Sequence, residues 1–312
     1  MVVITHDGVV RRRLGFGLVC AVLSASSFGL SGSLARGLMN AGWSSASVVA
    51  VRVLVAAAVL VPIAVVQLRG DWDLLRRNAF LIIGYGLVAV AGTQLAYFNA
   101  VAHMQVGVAL LIEYTAPIAV VGWLWVRHQQ RPGATTVAGA MLGITGLALV
   151  IDLRSGTAAS WIGIAWALVA MIGAAAYFIL SAQGDGTLPG TVLAAGGLLI
   201  GGIALLAVGT IGIVPLHATA NPVVFQDFTV SWWLPVLALG TITAAVAYVS
   251  GIAATRLLGS RLASFTALLE VLAALGFAWV LLGEAPHAIQ LVGGALILIG
   301  VLVVRRGELA DA

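Results

Sequence analysis

The feature that most constrains this chain is a succession of ten apolar runs, each about twenty residues long and joined by mostly short connections. A helix needs roughly 20 apolar residues to cross the core of a bilayer, so each run has the length of a transmembrane span. Helices are expected because the bilayer offers no water to bond an open backbone. The predicted spans lie near residues 14–34, 44–67, 79–101, 106–126, 133–151, 161–182, 189–213, 232–254, 262–282 and 287–304.

Composition excludes a water-soluble fold, because 62% of the 312 residues are hydrophobic and only 8% are charged, against roughly 25% charged in a soluble domain. The pI of 9.8 does not indicate a nucleic-acid partner, since the fifteen basic residues are all arginines and lie mostly between the spans. The single cysteine, Cys20, leaves no disulfide framework and no thiol metal site. We expect a monomer in a lipid bilayer, with no cofactor and no metal.

The arginines also predict the orientation of the chain, because cytoplasmic connections accumulate Arg and Lys. With the amino terminus inside, one face holds twelve arginines and the other holds only Arg36 and Arg154. This asymmetry predicts an even number of spans in a bacterial-type inner membrane, with both termini in the cytoplasm. The first apolar run is too long for a signal peptide and is expected to be retained. The twelve are Arg11, Arg12, Arg13, Arg69, Arg76, Arg77, Arg127, Arg131, Arg256, Arg261, Arg305 and Arg306.

The chain contains an internal repeat, which appears when the sequence is shifted by 154 residues against itself. Spans four and five then align with spans nine and ten without a gap. Paired Trp, Pro and spaced Gly are hard to obtain from an apolar composition alone, so the repeat indicates a duplicated unit. The matched pairs are Ala109–Ala263, Ala119–Ala273, Gly122–Gly276, Trp125–Trp279, Val126–Val280, Pro132–Pro286, Gly139–Gly293 and Gly146–Gly300.

Each half of the chain, residues 1–153 and 154–312, therefore holds five predicted spans. An odd number of spans places the second half upside down in the membrane relative to the first. Inverted halves that enclose a site near the bilayer midplane are the architecture of many secondary transporters. The predicted fold class is an all-α integral membrane protein of ten transmembrane helices, arranged as two inverted five-helix repeats.

Several segments resemble the EamA branch of the drug/metabolite transporter superfamily, and the resemblance covers nearly the whole chain. They are VRVLVA at 51–56, YFNA at 97–100, LLGE at 281–284 and the spaced glycines from Gly293 to Gly300. The resemblance implies that each half is one EamA repeat. The stretch at 106–117 is similar to the fourth span of the bacterial threonine/homoserine exporter group, which implies export of amino acids or related metabolites. Two positions depart from the family: Val271 replaces its usual Pro, and RHQQ at 127–130 replaces its Gly-Glu.

Three ionisable side chains lie well inside the predicted spans: Arg52, Glu113 and Glu270. A charge in hydrocarbon costs about 2.5 to 3.5 kcal/mol on insertion scales, so such residues face a cavity or a partner. Arg52 and Glu113 are predicted at a similar depth, where they could form a structural ion pair or contribute to a substrate site. The 154-residue shift places Glu113 and Glu270 one helical turn apart, on a similar face toward the axis between the halves.

Glu113 and Glu270 are predicted to carry a proton, and Glu270 is predicted to carry a proton or to bind a substrate amine. The alternative for Glu270 is a protonated acid hydrogen-bonded to a neighbouring helix. Polar and aromatic residues within the spans extend the candidate substrate site, although any single tyrosine could instead anchor a helix at the headgroup level. These residues are Ser24, Ser27, Gln94, Tyr97, Asn99, Tyr114, Tyr177 and Tyr248.

The sequence thus favours a secondary transporter that exports amino acids or related small metabolites by alternating access, with protons as a candidate coupling ion. Import, or transport of a drug or sugar nucleotide, stays open within the same superfamily. An intramembrane enzyme is disfavoured because the spans carry no HExxH, paired-Asp or Ser–His motif. A channel is disfavoured because polar residues within the spans are sparse.

Overall fold

The computed structural model describes residues 6–116, 120, 123, 125–127, 133–151, 160–183, 188–285 and 288–310. These residues are nearly all helical. Among them are six helices that are long and apolar enough to cross a membrane, and they correspond to predicted spans one, two, three, six, seven and eight. Two shorter apolar segments, Ala134–Gly146 and Leu269–Leu282, lie within predicted spans five and nine.

In chain order the elements are α1 (His6–Asn40), α2 (Ser45–Leu68), α3 (Asp73–Arg77), α4 (Ala79–His103), α5 (Val106–Glu113), α6 (Ala134–Ile151), α7 (Trp161–Ala182), α8 (Gly190–Thr210), β1 (Val223–Val224), β2 (Thr229–Val230), α9 (Trp233–Thr266), α10 (Leu269–Leu282) and α11 (Ala288–Ala310). Several ends follow from local chemistry. The side chain of Ser44 accepts a hydrogen bond from the Ser47 amide and caps α2. The left-handed Gly283, with φ 73°, ends α10.

Two helices contain a wider π-helical stretch, and the two stretches are related by the repeat. The first covers Tyr85–Gly92 in α4 and the second covers Thr241–Val246 in α9. The 154-residue shift carries residues 85–92 onto 239–246. Such irregular turns inside helices are frequent at functional sites.

Predicted spans four and nine are broken rather than continuous, which corrects the expectation of one helix for each. The helix α5 ends at Glu113 and is followed by a turn at residues 114–115. In the second half, α9 kinks at Gly259 (φ 79°), and a turn at residues 267–268 separates it from α10. The shift carries residues 114–115 onto 268–269, so the two breaks lie within one residue of equivalent positions.

Helix contacts in one half recur in the other. Helix α1 packs against α9 and α10, and its counterpart α7 packs against α4 and α5. The pairs α2 with α8 and α6 with α11 each join counterparts directly. Exchanging the halves therefore reproduces these main contacts.

Hydrogen bonds near the helix ends identify the two ends of the bundle. At one of them, which we call the Trp43 end, the Trp43 ring nitrogen donates to the Thr219 carbonyl at 2.8 Å and Arg36 donates to the Met104 carbonyl at 2.6 Å. At the other, the Arg256 end, Arg256 donates to the Leu188 carbonyl at 2.6 Å. The bundle interior between them is filled mainly by apolar side chains.

The segment from 214 to 231, predicted as an irregular loop, contains a short antiparallel hairpin. Val223 pairs with Val230 and Val224 with Thr229. The Gln226 amide at its tip donates to the Leu281 carbonyl at 2.9 Å. The hairpin therefore covers the Trp43 end of the bundle and contacts the end of α10.

Some predictions concern positions outside the described residues. They involve Pro117, Gly122, the segment 128–132, Arg154 and Pro286, together with the expected boundary between the halves at residues 153 and 154.

Candidate functional site

A cavity lies between the two halves of the bundle, lined by side chains from α1, α4, α5, α7, α9 and α10 and from the two turns. The space open to the centres of water molecules is about 60 Å³, room for roughly four waters. Its polar lining consists of Ser24, Thr93, Gln94, Glu113, Tyr114, Tyr177, Tyr248, Thr255 and Glu270.

The cavity occupies the middle of the bundle and the half nearer the Arg256 end. Ala254 and Thr255 line it from the last turns of α9 before the kink, and Phe178 lines it from the end of α7. On the side of the Trp43 end, the lining stops at Gln94 and Glu113. Between the lining and the Trp43 end, the buried side chains of Ser31, Leu34, Tyr97 and Val106 fill the bundle and close that side.

Glu113 is the last residue of α5 and lies on the cavity wall with 8% of its surface exposed. Its Oε2 atom has no hydrogen-bond partner in the described part of the chain. A helix carries partial negative charge at its carboxyl end, which favours cations there. An unpaired acidic oxygen in this position suits a proton or a ligand cation.

Glu270 lies in the first turn of α10, directly after the break at residues 267–268, and also lines the cavity. The hydroxyl of Tyr114 donates a hydrogen bond to its Oε2 atom. The amino end of a helix favours negative charge. The two carboxyl groups therefore share one cavity but differ in their partners and in the helix end that they occupy.

Arg52 lies behind the cavity wall, buried to 1% exposure in α2. Its Nη1 atom donates to Gln94 Oε1 and its Nη2 atom to the carbonyl of Thr243. The guanidinium carbon also lies 5.7 and 5.5 Å from the ring centroids of Phe28 and Phe98, within cation–π range. No ion pair joins Arg52 to Glu113 among the described residues, so the proposed pairing between α2 and span four is not found.

Aromatic side chains form one wall of the cavity. The Tyr177 and Tyr248 ring centroids lie 5.9 Å apart, and Phe28 meets Tyr248 edge to face at 5.1 Å. The hydroxyls of both tyrosines are buried without a well-formed hydrogen bond among the described atoms, although Ser181 lies near that of Tyr177 and Gln94 near that of Tyr248. Buried polar groups are normally bonded, so these hydroxyls are available to a ligand or to water.

Seven of the predicted candidates line the cavity, and Arg52 contacts it through Gln94. Three others do not line it. Ser27 and Tyr97 are buried outside the lining, and Asn99 is held toward the Trp43 end by bonds with Leu95 and Ser45. The substrate role of the lining residues stays a prediction. The seven are Ser24, Gln94, Glu113, Tyr114, Tyr177, Tyr248 and Glu270.

Sequence reasoning missed several lining residues, among them Phe28, Thr93, Phe178 and Thr255. Thr93 directly precedes Gln94, so its position on α4 could have drawn attention. The phenylalanines gave no signal, because an apolar ring inside a span is indistinguishable from one that faces lipid. Only the rotation of each helix separates the two.

Comparison with known families agrees with this geometry. A sequence model of the EamA-like transporter family matches residues 15–152 and, separately, residues 161–306. This chain belongs to the EamA-like transporter family. The EamA-like unit therefore occurs twice, and family membership indicates a multi-pass membrane transporter rather than an enzyme.

Two further similarities cover almost all of this EamA-like transporter. An uncharacterized transporter of Archaeoglobus fulgidus is 27% identical over 296 residues, covering 95% of this chain and 98% of the relative. A protein of known crystal structure shares the fold with a TM-score of 0.63 at 20% identity, covering 92% of this chain and 98% of the other.

Proposed function

We propose that this EamA-like transporter exports amino acids or related small metabolites by alternating access. The observation that carries the proposal is the central cavity, which both halves line and which is closed on the side of the Trp43 end. Alternating access requires a site reached from one side at a time. A state with one closed end is one of the two states that such a cycle needs.

The proposed architecture is ten transmembrane helices in two inverted five-helix repeats. Three observations support it: the recurrence of helix contacts when the halves are exchanged, the paired π-helical stretches, and the paired breaks after Glu113 and at residues 267–268. Discontinuous helices at corresponding positions are a feature of binding sites in inverted-repeat transporters.

In this proposal both termini lie in the cytoplasm of a bacterial-type inner membrane, and the Arg256 end faces the cytoplasm. Reporters fused after Arg76 and after Arg306 should then lie on the same side, and reporters on opposite sides would refute this architecture.

The proposed cargo is small and polar, as in the threonine/homoserine exporter group. The cavity has room for roughly four waters, and it offers both an unpaired acidic oxygen on Glu113 and hydroxyls on Tyr177 and Tyr248 that make no well-formed hydrogen bond among the described residues. Such a lining suits a molecule with an amine and a hydrogen-bond acceptor. Protons are the proposed coupling ion, carried by Glu113 or Glu270.

The test is exchange of amino acids across liposomes that contain the purified protein. Liposomes preloaded with one unlabelled amino acid should accumulate the same labelled compound faster than protein-free liposomes do. In inverted vesicles, whose outer surface is the cytoplasmic face, an acidic lumen should then drive accumulation, because a proton leaves the lumen as each cargo molecule enters. No exchange of any of the twenty proteinogenic amino acids, in either direction, would refute the proposed substrate class, and exchange without proton dependence would refute the proposed coupling.

A further inference from the structure

We propose that Arg52 is a positioning residue that turns the amide nitrogen of Gln94 into the cavity, where this nitrogen and the Tyr248 hydroxyl bind a carboxylate of the cargo. The inference rests on the proposed function, because it concerns how the same cavity recognises its substrate. It goes further by assigning the part of the cavity wall formed by Gln94 and Tyr248 to the acidic group of the cargo.

The orientation of the Gln94 amide follows from the chemistry of arginine. A guanidinium group has five N–H donors and no acceptor. The Gln94 group that meets Arg52 Nη1 must therefore be its oxygen, and its NH₂ group points away from Arg52. Gln94 lies on the cavity wall while Arg52 lies behind it, so the amide presents donors to the cavity.

Arg52 is itself fixed in place. Its second hydrogen bond goes to the Thr243 carbonyl, inside the π-helical stretch of α9. Gln94 follows the π-helical stretch of α4 by two residues. The phenyl rings of Phe28 and Phe98 flank the guanidinium group. Arg52 therefore joins two repeat-related segments and has little freedom to swing into the cavity as a direct ligand.

Tyr248 completes the donor side of the cavity. The 154-residue shift carries Gln94 onto Tyr248, so the two halves place polar groups at equivalent positions. The Tyr248 hydroxyl is buried beside the Gln94 side chain and makes no well-formed hydrogen bond in the described region. A carboxylate is bound well by several N–H and O–H donors in a site that excludes water.

The acceptor side is formed by the two acids. Glu113 offers an unpaired oxygen, and Glu270 is bonded by Tyr114. One cavity thus presents donors from α4 and α9 and acceptors from α5 and α10. This arrangement matches a cargo that carries both an amine and a carboxylate.

The test compares three molecules that differ only in these groups. The probes are L-threonine, its decarboxylated amine 1-amino-2-propanol, and its deaminated acid 3-hydroxybutyrate. In wild-type protein the amine should compete about tenfold less well than threonine, because it lacks the carboxylate. Gln94→Glu should raise the KM for threonine by about tenfold or more, because a carboxylate replaces the donor. The same variant should leave competition by the amine unchanged or stronger. If the wild type transports another amino acid instead of threonine, the decarboxylated and deaminated forms of that amino acid replace 1-amino-2-propanol and 3-hydroxybutyrate as probes.

A double-mutant cycle tests the positioning role of Arg52. Gln94→Met removes the donor, and Arg52→Met removes the group that orients it. Both should raise the KM for threonine. The KM of the double variant should be no higher than that of the single variant with the higher KM, because residues that act through one another are not additive. Arg52→Lys, which retains a donor, should restore part of the affinity. Fluorescence-detected size exclusion identifies variants that fail to fold, and Arg52→Lys keeps the test decisive if Arg52→Met is lost.

The matched control is Gln67→Glu, the same change of charge at an exposed position near the end of α2. It should leave the threonine-to-amine ratio at the wild-type value. Independent, additive effects of the two methionine variants would overturn the positioning role. An unchanged ratio in Gln94→Glu would overturn the carboxylate site while leaving the proposed function intact. A wild-type protein that moves no amino acid would refute the proposed function, and this inference with it.

Discussion

The hydroxyl of Tyr114 donates a hydrogen bond to the carboxyl group of Glu270, across 156 positions of the chain. Tyr114 lies in the turn that ends α5, and Glu270 lies in the first turn of α10. The bond therefore joins the break in the first half to the break in the second. Any movement that separates these segments must disrupt it.

Replacing Tyr114 by Phe removes this donor and leaves the buried acid without its partner. We expect a loss of about 1–3 kcal/mol in stability, the usual cost of an unsatisfied buried group, seen as a lower melting temperature in detergent. The transport rate should fall as well. Tyr97→Phe is the control, because the Tyr97 hydroxyl has no partner in the described structure. Equal melting temperatures for the two variants would show that the Tyr114 bond contributes nothing.

Replacing either cavity acid, Glu113 or Glu270, should reduce transport, whereas replacing an acid on the surface should not. Glu113→Gln and Glu270→Gln each remove a negative charge from the cavity wall, so kcat/KM should fall by about tenfold or more. At least one of them should flatten the dependence of transport on pH, because the amide cannot carry a proton. Rates are measured across pH in proteoliposomes, with Asp227→Asn in the exposed loop as the matched control. Wild-type rates and pH profiles in both variants would make the carboxyl groups structural only.

The open side of the cavity can be located with a cysteine at Ala267. This residue lines the cavity, is only half-buried and is the repeat counterpart of Glu113. In a Cys20→Ser background, Ala267→Cys should react with a membrane-impermeant thiol reagent from the side of the Arg256 end, and the reaction should block transport. Ala96→Cys, buried outside the cavity lining, should not react. Labelling from the opposite side alone would contradict the closed Trp43 end.

The contact between α6 and α11 depends on small residues. A Cβ atom at Gly300 would lie 2.8 Å from the Gly139 carbonyl oxygen and 2.9 Å from the Gly143 nitrogen, so the two backbones would have to move apart. Gly300→Leu should therefore destabilise the protein by about 1–3 kcal/mol or more, as overpacking does. Thermal unfolding in detergent measures the effect. Gly84→Leu is the control because nothing lies within 4 Å of that position, and an equal loss in both would refute the packing explanation.

Glu284, in the connection after α10, gives a prediction about pH. Burial raises the pKa of Glu284 above its ordinary value of 4.5, and the nearby Arg36 partly opposes this effect. An acid with a raised pKa in the folded state favours folding when protonated, so its contribution is present below pH 4.5 and is lost as pH rises through the folded pKa. As pH rises from 4 to 8, the melting temperature should fall less steeply in Glu284→Gln than in the wild type. Identical slopes would show that this group does not contribute.

Helix boundaries were largely predictable because they depend on local sequence. The second span was expected at 44–67 and the helix covers Ser45–Leu68, and the third was expected at 79–101 and covers Ala79–His103. The length of an apolar run and the polar residues that flank it set these limits. The breaks at residues 114–115 and 267–268 were missed because their own residues include none of the Gly, Pro, Asn, Asp or Ser that commonly mark turns.

The candidate site was predictable in its members but not in its contacts. Glu113, Glu270 and Gln94 stood out because polar groups are expensive in a bilayer, and all three line the cavity. The partner of Arg52 was not foreseen. Depth along the span placed Arg52 level with Glu113, but the guanidinium group reaches Gln94 and Thr243.

The sequence by itself determined that the chain is built of apolar helices, that its halves repeat, and which few polar side chains must avoid lipid. These properties follow from run lengths and composition, which are local. The tertiary structure decided which of those side chains face the cavity, how they pair, and which end of the bundle is closed. Those outcomes depend on the rotation and tilt of each helix, and packing between distant segments sets both.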